Sequence, residues 1–277
     1  MKGMTERLRS PAVAGSFYPS HPVQLRTSVE RLLVRMAPPV RTTALIAPHA
    51  GYIYSGATAG KAFAASDLPK RLFVLCPNHT GLGSPVACWT TGAWRTPLGD
   101  VPVDGELAAA LLRATPLAVE DALAHAREHA VEVQLPFLQV YLEDFAFVPV
   151  CVGTHRLSEL QELGAALAEV VRNCPDPVSI VVSSDMNHYE PAAVNRAKDD
   201  LAIGRILALD PEGLHRTVLE GEITMCGFAP AVAALVAAKA LGADRADLVD
   251  YTHSGLVTGD HGQVVSYAAL RIFREDA

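Results

Sequence analysis

Three apolar runs that each end in a histidine constrain this chain more than any other feature. Within Thr43–Ala65, the run Ala44-Leu45-Ile46-Ala47 stops at Pro48-His49-Ala50-Gly51-Tyr52. Leu72-Phe73-Val74-Leu75-Cys76 runs into Pro77-Asn78-His79-Thr80-Gly81, and Ile180-Val181-Val182-Ser183 into Ser184-Asp185-Met186-Asn187-His188-Tyr189. Periodicity alone does not separate a short buried strand from a helix, but the lengths and the flanking Pro and Gly favour strands. Each histidine then sits where a strand leaves its sheet, and in open α/β sheets ligands bind outside those carboxyl ends. The repetition predicts one site shared by His49, His79 and His188.

The remaining segments fit such a sheet. Gln24–Met36 has helical spacing, with Leu25, Val29, Leu32 and Leu33 on one face. The strand at 43–47, a helix from about residue 57 and the strand at 71–76 make a first βαβ unit. Val86–Thr90 adds a strand, and residues 92–100 read as a long loop of the kind that is more often functional than idle. A helix is expected from Asp104 to Ala114 and another over Glu128–Tyr141, kinked at Pro136. Ala146–Val152 and Val178–Ser183 are strands around a helix at Leu157–Arg172. Helices at Ala192–Leu207, Pro211–Glu220 and Phe228–Leu241 precede strands at Leu248–Thr252 and Val264–Ile272. Strand and helix alternate without a linker or repeat, which predicts one domain over residues 1–277 of α/β class, a mixed, mostly parallel sheet sandwiched by helices.

Composition excludes several classes. Half the residues are hydrophobic and 19% charged, enough for a large core. A net charge of −7 supplies no basic field for nucleic acid or anionic membrane. The longest apolar stretch, Ala229–Ala240, is too short to span a bilayer, and Lys2, Arg7 and Arg9 are followed by no apolar signal region. The five cysteines include no C-x-x-C pair, so a reducing cytoplasm is the expected compartment.

Neutral imidazole is both the commonest protein metal ligand and a general acid/base near neutrality. Among the other histidines, His21 and His215 read as surface residues, His125 and His155 as structural, and His253 and His261, flanking a Gly-rich turn, receive no role. Cys226, in Thr224-Met225-Cys226-Gly227-Phe228, precedes an apolar helix. A helix start lowers a thiol pKa, and a thiolate there is a nucleophile or a soft metal ligand. Asp185 is placed to orient a histidine or bind metal. Glu128-His129 supplies an acid/base pair or caps its helix. The other cysteines read as small apolar fillers, and Arg95 is the local candidate for an anionic group.

With these residues in view, the chain strongly resembles the Memo family, the B component of the prokaryotic AmmeMemoRadiSam group. The resemblance rests on AGSFYP (14–19), APHAGYIYSG (47–56), CPNHTG (76–81), WRTPLGDVPVD (94–104), EHAVEVQLPFL (128–138), SSDMNHY (183–189), MCG (225–227) and the closing VVSYA (264–268). Ala130 stands where the family usually has Ser. The resemblance implies a fold like that of class III extradiol ring-cleavage dioxygenases, which hold Fe(II) with two histidines and a glutamate. Carried over, His49 and His79 match the histidine ligands and Cys226 falls where the glutamate would be. His188 matches the acid/base histidine, with His129 beside it and Asp185 as a further catalytic residue.

A thiolate in place of a carboxylate alters metal preference and redox behaviour. The implied function is a non-haem iron- or copper-dependent oxidoreductase acting on a small-molecule substrate, with Fe(II) or Cu as cofactor and Zn as an alternative. Two other readings stand beside it: a non-catalytic protein binding a peptide or other ligand in the same pocket, and a thiol hydrolase pairing Cys226 with His188. The resemblance also implies a functional link to radical-SAM and AMMECR1-type proteins.

Overall fold

A computed structural model describes residues 7–35 and 37–275. Its centre is four parallel strands in the spatial order Val40–Ala47, Val178–Ser183, Arg71–Pro77 and Ala146–Val152. Antiparallel strands extend this core on both sides. Val264–Phe273 pairs with Val40–Ala47 and carries Arg245–His253 on its far edge, while Val86–Cys88 pairs with Ala146–Val152. The result is a mixed ten-stranded sheet.

The central strands are apolar throughout because both of their faces are covered. Side chains alternate across a strand, so Ala44, Ile46, Phe73, Leu75, Ile180 and Val182 face one layer, built from the helices Leu157–Asn173 and Phe228–Ala240. Leu45, Ala47, Leu72, Val74, Cys76 and Val181 face the other, built from Pro22–Leu32, Tyr52–Ala64 and Ala130–Tyr141. Register brings the ends of the three histidine-bearing strands together, with Ser183 beside Ala47 and Val182 beside Leu75.

Several local expectations are corrected. Residues 92–100 are not a loop: Ala93–Thr96 and Gly99–Pro102 form a hairpin that pairs with Leu8–Arg9, and Trp94 is fully buried. A burial pattern over four residues is too short to register as alternation. The helix expected from about residue 57 begins at Tyr52. That expected over 24–36 runs Pro22–Leu32, its first turn admitting a proline that lacks only an N–H no helix start can pair; Met36 lies outside the described residues. The helix expected from Glu128 begins at Ala130 with His129 at its N-cap, and its helical run continues through Pro136 to Tyr141.

Arg9 and Glu132 form a buried ion pair, Nη1 to Oε2 at 2.6 Å, linking the N-terminal segment to the helix that follows His129. Arg9 also donates to the carbonyls of His125 and Glu128. Glu132 accepts from the Ala12 and Val13 amides and the Tyr18 hydroxyl. Every charge is hydrogen-bonded, the condition under which an ion pair survives burial.

Candidate metal centre

His49, His79 and His129 meet at one point. Each offers a ring nitrogen, and these atoms lie within 4.8 Å of one another. Their ring centres are 4.8 to 5.4 Å apart. His49 is buried, His129 partly so, and His79 faces solvent.

The hydrogen bonds behind the rings fix which nitrogen faces the cluster. The Ser183 hydroxyl donates to the Ala130 carbonyl at 2.7 Å, so toward His49 Nδ1, 2.9 Å away, it acts as acceptor. His49 therefore carries its proton on Nδ1 and a lone pair on Nε2. Gln134 Nε2 donates to the same Ser183 oxygen and to the Pro48 carbonyl, holding the strand end in place. His79 Nδ1 lies 2.9 Å from Glu128 Oε1, which likewise leaves Nε2 as the free nitrogen. Glu128 Oε1 is also 3.5 Å from His129 Nδ1. Such carboxylate–imidazole contacts orient metal-binding histidines and raise their basicity.

The electrostatics agree. Burial holds the His49 pKa well below its ordinary value, helped by the nearby His129 and His79 rings, so the imidazole is neutral. Burial also lowers His129. Burial opposes protonation of His79 as well, but the hydrogen bond and charge of Glu128 raise it overall. Despite its own burial, Glu128 is held at about 2, chiefly by His79.

Cys226 sits beside this cluster. Its Sγ is 3.4 Å from His49 Nε2 and accepts the Asp185 amide at 3.2 Å. The close approach depends on Gly227, where a Cβ would fall 2.4 Å from Ser184 Cβ and 2.6 Å from the Ser183 carbonyl. The expectation of a lowered thiol pKa is not met. Cys226 precedes the helix N-cap, and burial, then the Asp185 charge, push the thiol well up. The imidazole within hydrogen-bonding range of its sulfur is that of His49.

Asp185 is buried and acts on main chain: Oδ1 accepts the His49 amide at 2.8 Å. Burial raises its pKa against the two His49 and Ala50 amide hydrogen bonds. His188 Nδ1 lies 2.8 Å from the Thr224 carbonyl, an acceptor only, so its proton is on Nδ1 and Nε2 bears the lone pair. Its neighbour Tyr189 has a left-handed backbone (φ 59°) and is 73% exposed at the rim. His49, His79, His129, Asp185 and His188 all line one cavity of about 530 Å³, whose aromatic wall includes Phe17, Tyr54 and Tyr267. Among its described lining residues none is Lys or Arg. Arg95 is paired with Asp100 on the hairpin through two hydrogen bonds and lines no part of this cavity.

Sequence reasoning missed Ser183, Gln134 and the grip of Glu128 on His79. The only signal was their place in the quoted motifs. Of the other histidines, His125 is fully buried and donates from Nε2 to the Ala87 carbonyl, and His215 donates to the carbonyl of exposed His155. Cys76, Cys88 and Cys151 are buried strand residues. Among the described residues, no helix is long and apolar enough to cross a membrane.

The donor set suits a transition metal. Three converging imidazoles, with the Nδ1 atoms of His49 and His79 hydrogen-bonded to Ser183 and Glu128, match the ligand preferences of Zn, Cu and Fe and not those of Mg or Ca, which favour oxygen.

Comparison with known proteins agrees with the sequence motifs. The family profile described as Memo-like protein matches residues 9–271. A MEMO1 family protein of Methanopyrus kandleri is 45% identical, covering 96% of this chain and 99% of its own length. One from Aquifex aeolicus is 42% identical, covering 95% and 98%. Among solved structures, an uncharacterised protein of Escherichia coli K12 superposes with a TM-score of 0.59 over 83% of this chain and all of its own, at 14% identity, a likeness of fold alone. The chain belongs to the Memo family.

Proposed function

We propose that this protein is a metal-dependent oxidoreductase acting on a small organic substrate bound in the cavity beside His49, His79 and His129. The observation that carries the reading is the convergence of three ring nitrogens within 4.8 Å, on rings whose Nδ1 atoms face Ser183 and Glu128. An Fe(II) or Cu ion held there would supply one-electron chemistry and Lewis acidity. Zn fits the same nitrogens. Cys226, 3.4 Å from His49 Nε2, is the further donor that a metal could draw in as thiolate.

The chain's own groups do the rest. His188 presents its Nε2 lone pair as a base, its ring fixed through Nδ1 on Thr224. Asp185 holds the His49 turn. Phe17, Tyr54 and Tyr267 supply apolar faces for an organic ring or chain, and the lack of Lys and Arg in the lining favours substrates without phosphate or several carboxylates.

A second reading has one observation in its favour. The exposed Tyr189 at the rim offers a contact for a peptide held without turnover.

The test has two parts: elemental analysis of protein purified without chelator or metal-affinity tag, then oxygen uptake by iron- or copper-loaded protein. Uptake that disappears in His49→Ala supports the oxidoreductase. Ligand binding that survives metal removal, with no oxygen uptake under any metal, supports the binding protein instead.

A further inference from the structure

His253 and His261 take no part in the centre described above. His253 ends the strand Arg245–His253. The chain then makes the short helix Gly255–Thr258, reverses at Gly259 with a left-handed φ of 78°, and returns to His261. The reversal sets the two rings edge to face with centres 5.3 Å apart. The three ring pairs of the first centre are separated by 5.2, 5.4 and 4.8 Å, so this pair has the same spacing. Two imidazoles bound to one tetrahedral ion at about 2.0–2.1 Å per Zn–N bond have ring centres roughly 5 Å apart.

Two further observations bear on the space between them. His253 Nδ1 is buried and has no hydrogen-bond partner. Gly255 lacks the side chain that would block it: a Cβ there would lie 3.0 Å from His253 Nδ1, 3.0 Å from His261 Nδ1 and 2.5 Å from the Asp260 carbonyl oxygen. Both imidazole nitrogens and one carbonyl therefore converge beside the same α-carbon. We propose that His253 and His261, with the Asp260 carbonyl, form a second site for a borderline divalent transition-metal ion, of the Zn(II), Cu(II) or Ni(II) class. The ligands are half-buried and exposed respectively, which leaves water free to complete the coordination. Ser254, Thr258 and Gln263, in and beside the same turn, line the first centre's cavity. An ion on His253 and His261 fastens that wall to the end of the sheet.

Zn(II) alone is the probe, titrated into the full chain after removal of metal with a chelator and read by calorimetry. The parent protein takes up two equivalents, and His253→Gln/His261→Gln takes up one. A double variant with the parent stoichiometry overturns the second site. His49→Ala/His79→Ala keeps the second pair intact and reads it directly, retaining one equivalent that a further Gly255→Ala exchange removes. No Zn bound by His49→Ala/His79→Ala overturns the proposal even if the first double variant fails to fold. Loss of Zn only at the first centre would instead count against the reading of that centre.

Discussion

Glu128 holds His79 twice, its Oε1 lying 2.9 Å from the ring Nδ1 and its Oε2 accepting the His79 amide at 2.7 Å. One buried carboxylate thus sets both the direction of the imidazole and the path of the chain that carries it. Glu128→Gln keeps the shape and removes the charge that raises His79. Outer contacts of this kind are worth about 10–100-fold in metal affinity. Competition against a chromophoric chelator should show a loss of that size, with a larger one for Glu128→Ala. An unchanged affinity in both variants would remove Glu128 from the site.

His129 was expected as an acid/base neighbour, yet its ring nitrogen converges with those of His49 and His79. His129→Ala should therefore weaken Fe(II), Cu or Zn binding about as much as His79→Ala does. If His129→Ala bound metal like the parent protein while losing activity, the acid/base assignment would stand and the three-imidazole centre would fall.

What could be read in advance follows from the range of the interactions. The strand-ending histidines were legible because burial on both sheet faces writes itself into consecutive residues such as Leu72–Cys76. Fold class followed from the same signal. The grip of Glu128 on His79 and of Ser183 on His49 depends on register, which pairs Ser183 with Ala47 across 136 positions of chain, and local patterns carry no such information. Arg9 illustrates the point further: it read as a plain basic residue near the terminus, but its partner Glu132 is 123 residues away. Cys226 misled for a different reason. Proximity to a helix start lowers a thiol pKa only where burial and a neighbouring carboxylate do not outweigh it.

The Arg9–Glu132 pair makes a prediction about stability. Removing one member of a buried ion pair strands the other charge, at a cost of about 3–5 kcal/mol. Glu132→Ala should show this loss in urea unfolding, because Arg9, the Ala12 and Val13 amides and Tyr18 all lose an acceptor. A midpoint equal to the parent's would mean that the segment before Tyr18 rearranges around the vacancy.

His125 gives the fold a pH dependence separate from any metal. Burial holds its folded pKa at about 4, against an ordinary 6.5. Below pH 6.5 the unfolded chain takes up a proton that the folded chain refuses, so stability present above that pH is lost progressively down to about pH 4. Linkage gives a loss of roughly 2 kcal/mol between pH 7.5 and pH 5. His125→Gln removes the titrating group, and its denaturation midpoints should be flatter over that interval. Parallel profiles for the two proteins would show that the titration lies elsewhere.

Cys226 distinguishes a metal-binding thiol from a free nucleophile. Its thiol is raised by burial and by Asp185, and its nearest imidazole, His49, is held neutral. Both influences favour the thiol over the thiolate, so metal-free protein should react slowly with iodoacetamide near neutral pH and faster only as the solution becomes alkaline. Rapid stoichiometric labelling at neutrality would favour the hydrolase reading. A metal at the three imidazoles changes the balance, because a coordinated thiol gives up its proton. Cys226→Ser should then weaken Cu or Fe(II) binding well beyond any effect of Cys88→Ser or Cys151→Ser, whose sulfurs are buried in strands away from the cavity lining. Equal affinities across the three variants, each checked for an intact unfolding transition, would leave the centre with imidazole nitrogens alone.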